Sequence, residues 1–207
     1  MSEPNWYDRV VLPRLIHWAC GGSTVTRQRQ KVLPRAHGRV LELGMGSGLN
    51  LAFYDPDKVT EVVGLEPSPQ LREMAALATA AVPFATDIVD YDDDRIPAED
   101  DTFDCAVVTY ALCTIPDVGH VLNEVRRVLK PGGVLYFCEH GLAPDEGVQR
   151  WQRRLTPTWK HFAGGCHLDR DIVAVLEHAG FSVQDTDTMY LPGGRPFGFN
   201  TWGSATP

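Results

Sequence analysis

"VLELGMGSG", residues 40–48, is the stretch that decides how the rest of the chain reads. Val40, Leu41 and Leu43 form the nearly continuous apolar run of a parallel strand covered on both faces. Gly44, Gly46 and Gly48 follow at alternate positions, and glycine is kept for tight turns or close backbone approach. A strand entering such a turn places a ligand at the carboxyl end of a sheet. The spacing is not that of the dinucleotide fingerprint G-x-G-x-x-G, because the third glycine comes one residue early and position 49 is Leu. Glu42 would repel a pyrophosphate and suits a ligand carrying positive charge.

Outward from this loop, apolar runs recur at "TEVVGLE" (60–66), "VPFATDIV" (82–89), "FDCAVVTYAL" (103–112), "GVLYFCEH" (133–140), "FSVQDTDTMYL" (181–191) and "FGFNTW" (197–202). Helical patterns lie between most of them. The segment 68–80 opens with a Ser cap and Pro69. Over 117–133, Val118, Val121, Leu122, Val125 and Leu129 share one face, and Pro131-Gly132-Gly133 is a stop signal. A third helix opens at Asp169 and stops at Gly180. Strand, helix, strand repeated five times implies a parallel sheet with right-handed crossovers and helices on both faces. Only "PGGRP" (192–196) separates the last two strands, so the last strand runs antiparallel in an edge hairpin. Residues 5–36 and 144–168 stand outside the alternation and are expected to cover a pocket; in the first, Trp6, Tyr7, Val10, Leu15, Ile16 and Trp18 recur at roughly helical spacing, with Pro13 interrupting, and are expected to form an aromatic, apolar lid over it.

The chain has 207 residues, the length of a single domain. Nineteen basic against 27 acidic residues give a net charge of −8, which argues against nucleic acid as the partner. Five scattered cysteines without a C-x-x-C pair read as reduced thiols. No run approaches a membrane span, and the expected location is cytoplasmic, without stable membrane insertion.

Glu66 ends the second strand, where a carboxylate accepts hydrogen bonds from ribose hydroxyls. Asp92 or Asp93, after the third strand, is placed to face an adenine amino group, although that stretch is densely acidic and mostly solvated surface.

"LELGMGSG", Glu66, "FDCAVV" and "LKPGG", in this order, resemble the class I S-adenosylmethionine-dependent methyltransferases. The resemblance implies an α/β, Rossmann-like seven-stranded sheet of order 3-2-1-4-5-7-6. It implies S-adenosyl-L-methionine as cofactor, S-adenosyl-L-homocysteine as product, and a small-molecule substrate taken by a monomer or weak homodimer. Within 1–207 it implies a helical lid (1–36), a cofactor-binding core (37–143), a covering insertion (144–168), and a last helix with the edge hairpin (169–207). Gly44, Gly46 and Gly48 fall on the methionine and ribose part of the cofactor and Glu66 on the ribose, with Glu42, Asn50, Pro67 and Thr109 also assigned to cofactor binding. "NWYDRVVLPRLIHWACGG" (5–22), "YALCTIPD" (110–117) and "EHG…WQRRLTPTWKHFAGGCHLDRD" (139–171) look like the narrower branch of methyltransferase-like alkyl-thiol S-methyltransferases. That branch borders on quinone C-methyltransferases and phospholipid N-methyltransferases.

Displacement at a sulfonium needs positioning above all, worth roughly 7–11 kcal/mol. A thiol of pKa about 8.5 needs only a modest base or cation. His140, after the fifth strand, is the candidate base, with His161 and His167 as second choices. Cys113 reads as a methyl acceptor or, more simply, a buried thiol near the methyl group. No metal-ligand spacing stands out around these histidines, so no metal is expected. Trp6, Tyr7, Leu112, Trp159 and Cys166 are expected to line the substrate pocket, with Trp151 and Phe162 adding to its apolar wall. Arg170 reads most simply as paired with Asp169 or Asp171. Acceptors other than thiols, and a non-catalytic cofactor-binding module, remain as alternatives.

Overall fold

The computed structural model describes residues 6–91 and 95–207. Asp92 and Asp93, the expected adenine contacts, lie outside the described residues. Strands β1 (Gly38–Leu43), β2 (Val59–Leu65), β3 (Ala85–Val89), β4 (Phe103–Thr109), β5 (Leu129–His140), β6 (Ser182–Tyr190) and β7 (Phe199–Thr206) form one sheet. Their order is β3-β2-β1-β4-β5-β7-β6. All pairings from β3 to β5 are parallel, and β7 is antiparallel to both of its neighbours; the connection before it is longer than the expected "PGGRP", running over 191–198 and holding a one-turn helix, Arg195–Gly198.

Side-chain alternation along each strand divides the core between the two faces. Leu41, Leu43, Phe103, Val108, Leu135 and Phe137 pack on one face beneath α4 (Val118–Val128) and α6 (Ile172–His178). Val40, Val62, Cys105, Val107, Tyr136 and Cys138 pack on the other, with Val32 and Leu33 of the N-terminal segment and Ala75 of α3 (Pro69–Thr79). Each fully buried Leu or Phe contributes roughly 1.5–3 kcal/mol. Helix starts follow the capping rule: Ser68 accepts from the Leu71 N–H, Asp117 from the His120 N–H, and Asp171 from the Ala174 N–H. Helix α6 therefore begins after Asp171 rather than at Asp169.

Three expectations are corrected. The strand-helix alternation is incomplete, for only a short 3₁₀ turn, Leu51–Phe53, joins β1 to β2, and no helix joins β3 to β4 among the described residues. Asn50 and Tyr54 turn inward to Glu42, and Pro56 disfavours further helix. Secondly, Pro131-Gly132-Gly133 does not end α4. The helix stops at Val128 and β5 begins at once; pairing with β4 jumps from Phe103↔Leu129 to Cys105↔Val134, so "KPGG" is a bulge within the strand. Thirdly, Pro13 does not interrupt the N-terminal helix. It lies in the first turn of α1 (Leu12–Cys20), where its missing N–H costs nothing.

A π-helical turn, Tyr7–Val11, leads into α1, and α2 (Ser23–Arg29) completes the N-terminal segment. The insertion after β5 is mostly α5 (Glu146–Phe162). No helix among the described residues is long and apolar enough to cross a membrane.

Candidate active site

The three glycines of the loop have different tasks. All have positive φ, the region where a side chain is strained. A Cβ at Gly44 would lie 2.5 Å from the Ala111 Cβ, and one at Gly48 would press on Ala75 and Ala78 of α3. Those two serve the protein's own packing. Around a Cβ at Gly46 nothing among the described residues lies within 4 Å, so its backbone is open.

Glu66 is buried where β2 ends. The Gly46 N–H donates to its Oε2 (2.8 Å) and the Ser68 N–H to its Oε1 (2.9 Å), which fixes the carboxylate against the glycine loop. Pro67 beside it is exposed, and Arg72 holds the turn by donating to the Glu66 and Pro67 carbonyls and to Asp90.

Glu42 is wholly buried, and protein donors occupy both its oxygens: the Tyr54 hydroxyl at 2.7 Å and the Asn50 side-chain amide at 2.9 Å. Asn50 also bonds Thr109, and these two residues line a cavity beside the glycine loop. Glu42 thus acts by ordering Asn50. Burial pushes its pKa from 4.5 up to about 7, outweighing both hydrogen bonds. Between those pH values the folded chain keeps a proton that the unfolded chain has released, so this residue's contribution to stability falls as pH rises. The loss should reach the order of 3 kcal/mol above pH 7. Urea unfolding at pH 5 and pH 8 should show a smaller pH-dependent loss in Glu42→Gln than in the unaltered chain; equal losses would remove Glu42 as the source.

Arg29, unnoticed in the sequence, is 4% exposed at the end of α2. Its Nη1 donates to the Cys20 carbonyl at 2.5 Å and its guanidinium lies 5.5 Å from the Tyr110 ring centroid, while Nε is buried without a partner among the described residues. It lines a cavity of about 60 Å³ together with Gly44, Gly46, Asn50 and Thr109. A wider, mainly apolar cleft of about 540 Å³ lies towards α3. His17, Ser47 and Leu49 line both, and His17 Nδ1 and Ser47 Oγ share a hydrogen bond of 2.7 Å. The polar groups face the smaller cavity.

The inward face of α1 is Ile16, His17 and Cys20. Trp6 and Trp18 are 70% and 77% exposed, and Trp151 and Phe162 are also largely exposed. Trp6, expected in the substrate pocket, is a surface residue, because the helical period turns it and Trp18 away from the residues that meet the loop. Tyr7 is half-buried and donates to the Phe162 carbonyl at 2.9 Å, tying the N-terminal segment to the end of α5.

At the ends of β4 and β5 the chain gathers thiols and an imidazole. Tyr110, at φ 56°, starts the loop after β4. Glu139 Oε1 accepts from the Ala111 N–H (2.8 Å) and the Leu112 N–H (3.2 Å), and Arg170 donates to the carbonyls of Leu112 and Ile115. Arg170 therefore pins this loop, in place of the expected pairing with Asp169 or Asp171. The Leu112 side chain, expected to line the pocket, lies in the main core. Gly164 and Gly165, both at positive φ, turn the chain after α5 and return Cys166 to the loop. There His140 Nε2 lies 3.0 Å from Cys166 Sγ, and the Trp159 indole N–H donates to the same sulfur at 3.3 Å. The ligating atoms of Cys113, His140 and Cys166 all lie within 4.8 Å of one another. His161 is exposed on α5, and His167 lies 3.9 Å from Asp169.

Hydrogen bonds from Cys113 and His140 lower the Cys166 pKa despite burial, and the Cys113 pKa rises in response. Burial alone would lower His140; the sulfur beside it outweighs this and raises it. Burial pushes Glu139 up to about 7, and its Oε2 has no partner among the described residues.

A glycine turn after β1, a backbone-anchored carboxylate after β2 and a reactive cluster after β4 and β5 define an α/β protein built to hold a nucleoside-bearing cofactor beside a second reactant. The methyltransferase-domain family model matches residues 41–137. Thiol S-methyltransferase TMT1B of Rattus norvegicus is 40% identical over 148 residues, 69% of this chain and 59% of that protein. Phosphatidylethanolamine N-methyltransferase of Cereibacter sphaeroides is 30% identical over 175 residues, 76% of each chain. A solved structure of a putative methyltransferase from Bacillus halodurans shares the fold, with a TM-score of 0.70 at 16% identity over 89% of this chain and 98% of that one. The chain belongs to the class I S-adenosylmethionine-dependent methyltransferase family. Its matches span 59–64% of the length of the TMT1A and TMT1B thiol S-methyltransferases.

Proposed function

We propose that the chain moves the methyl group of S-adenosylmethionine to the sulfur of a small lipophilic thiol and releases S-adenosylhomocysteine. The cofactor supplies a methyl group on a positively charged sulfur. The site's residues suit that cofactor: Gly46 leaves open backbone, Glu66 offers an anchored carboxylate to ribose hydroxyls, and the buried Arg29 offers charge to the cofactor's carboxylate. Asn50 and Thr109 add hydrogen-bonding groups at the same end.

The observation that carries the acceptor class is the Cys113–His140–Cys166 cluster, whose Cys113 stands three residues beyond Tyr110, a residue lining the smaller cavity. Sulfur, imidazole and indole make a soft, weakly hydrated surround suited to a thiolate. The TMT1 relatives bear the same reading. In the reaction the acceptor sulfur forms the new carbon–sulfur bond, the cofactor's methyl–sulfur bond breaks, and the thiol proton goes to solvent.

The lid must move. A ligand of this size needs a pocket of roughly 300–1,000 Å³, and the polar cavity holds about 60 Å³. Lifting α1 would break the His17–Ser47 bond and join the cavity to the wider cleft.

A second reading has its own support in the lipid-headgroup relative and in the unpartnered Glu139 Oε2, which an amine would match. Methyl-labelled cofactor with alkyl thiols, phenols, quinols, amines and phosphatidylethanolamine vesicles separates the two. Label in the thioether is the expected result. Label confined to the amine or lipid would transfer the protein to the second reading, and tight cofactor binding with no label anywhere would leave a binding module.

A further inference from the structure

We propose that Cys113, His140 and Cys166 bind one zinc ion, with a fourth coordination position left to the acceptor. Two thiolates and an imidazole are donors that zinc takes at sites with three protein ligands and one exchangeable position. Magnesium and calcium, which take oxygen ligands, are excluded by the same set. Bonds of roughly 2.0–2.3 Å to a tetrahedral ion place neighbouring ligand atoms roughly 3.3–3.8 Å apart. The three atoms lie within 4.8 Å of one another, and His140 Nε2 and Cys166 Sγ are 3.0 Å apart, so side-chain adjustments of up to about an ångström would admit the ion.

The surroundings fit a held ligand set. The Trp159 N–H to Cys166 is the kind of outer hydrogen bond that fixes a metal-bound thiolate. The Cys113 carbonyl accepts from the His167 N–H at 2.8 Å, and Arg170 and Glu139 clamp the same loop by its backbone. Both cysteines are buried and neither is in a disulfide. The ligands come from three separate segments, so no short metal motif exists to be read.

The metal site stands on this geometry alone; the open position rests on the thiol-acceptor reading. An acceptor thiol entering that position binds as thiolate and releases one proton to solvent. His140 is then a ligand and needs no role as base.

The test uses the full chain, purified reduced, loaded with zinc or cobalt(II) and freed of excess metal. Expected are about one metal per chain by elemental analysis and a thiolate-to-cobalt charge-transfer band. Both should be lost in Cys113→Ser and in Cys166→Ser and kept in His161→Ala. Independently of any variant, one equivalent of zinc should protect Cys113 and Cys166 of the unaltered chain from alkylation. No retained metal, or metal retained in both cysteine variants, overturns the site. An alkyl thiol should shift the cobalt band; an unmoved band overturns the open position. Full thiol turnover by metal-stripped protein removes the ion from the reaction and leaves the thiol reading standing. Bound metal with label in no thiol does the reverse.

Discussion

Glu66→Ala should weaken S-adenosylmethionine binding at least 100-fold in calorimetric titration. Hydrogen bonds to a charged group contribute roughly 1.5–3 kcal/mol each, and the proposed function gives this carboxylate two ribose hydroxyls as donors. The substitution also frees the Gly46 and Ser68 N–H groups, whose acceptors are the two Glu66 oxygens. The open face at Gly46 would then lose its fixed shape, which adds to the direct loss. Glu66→Gln should be intermediate, because its amide NH₂ would oppose one of the two backbone donors. Unchanged affinity in Glu66→Ala would place the ribose elsewhere.

Arg29→Met should act selectively. Methionine keeps most of the buried stem and removes the charge, so ligands with a carboxylate should suffer and ligands without one should not. We expect S-adenosylmethionine and S-adenosylhomocysteine to bind about 100-fold more weakly, in keeping with the loss of one charge-assisted contact in a buried setting. Methylthioadenosine, which lacks the amino-acid end, should bind nearly as before. The unliganded protein should lose little, because Arg29 has a neutral carbonyl and an aromatic ring as partners and a buried Nε with none. Equal weakening of all three ligands would mean that Arg29 acts by holding α2 in place.

The sheet was legible because its signals are local. Apolar runs, Ser68 as a cap, and the short connection between the last two strands each act over a few residues, and the observed sheet agrees with them. Local rules misled where a neighbour in space decides the outcome. "KPGG" reads as a helix stop, yet pairing with β4 draws it into β5 as a bulge. Trp6 and Trp18 read as pocket aromatics, yet the docking of α1 on Ser47 turns them outward.

For the site, the sequence by itself determined the glycine turn, Glu66 after β2, and the family these mark. Each depends on a residue's position relative to its own strand. Tertiary structure alone decided which glycine stays open, that Glu42 is spent on Asn50 and Tyr54, and that Arg29 reaches the cavity. It also assembled Cys113, His140 and Cys166, which lie far apart along the chain. The physical reason is the same throughout. Strand and helix periodicity fix which way a side chain leaves its own element, and only the packing of other elements fixes what it meets.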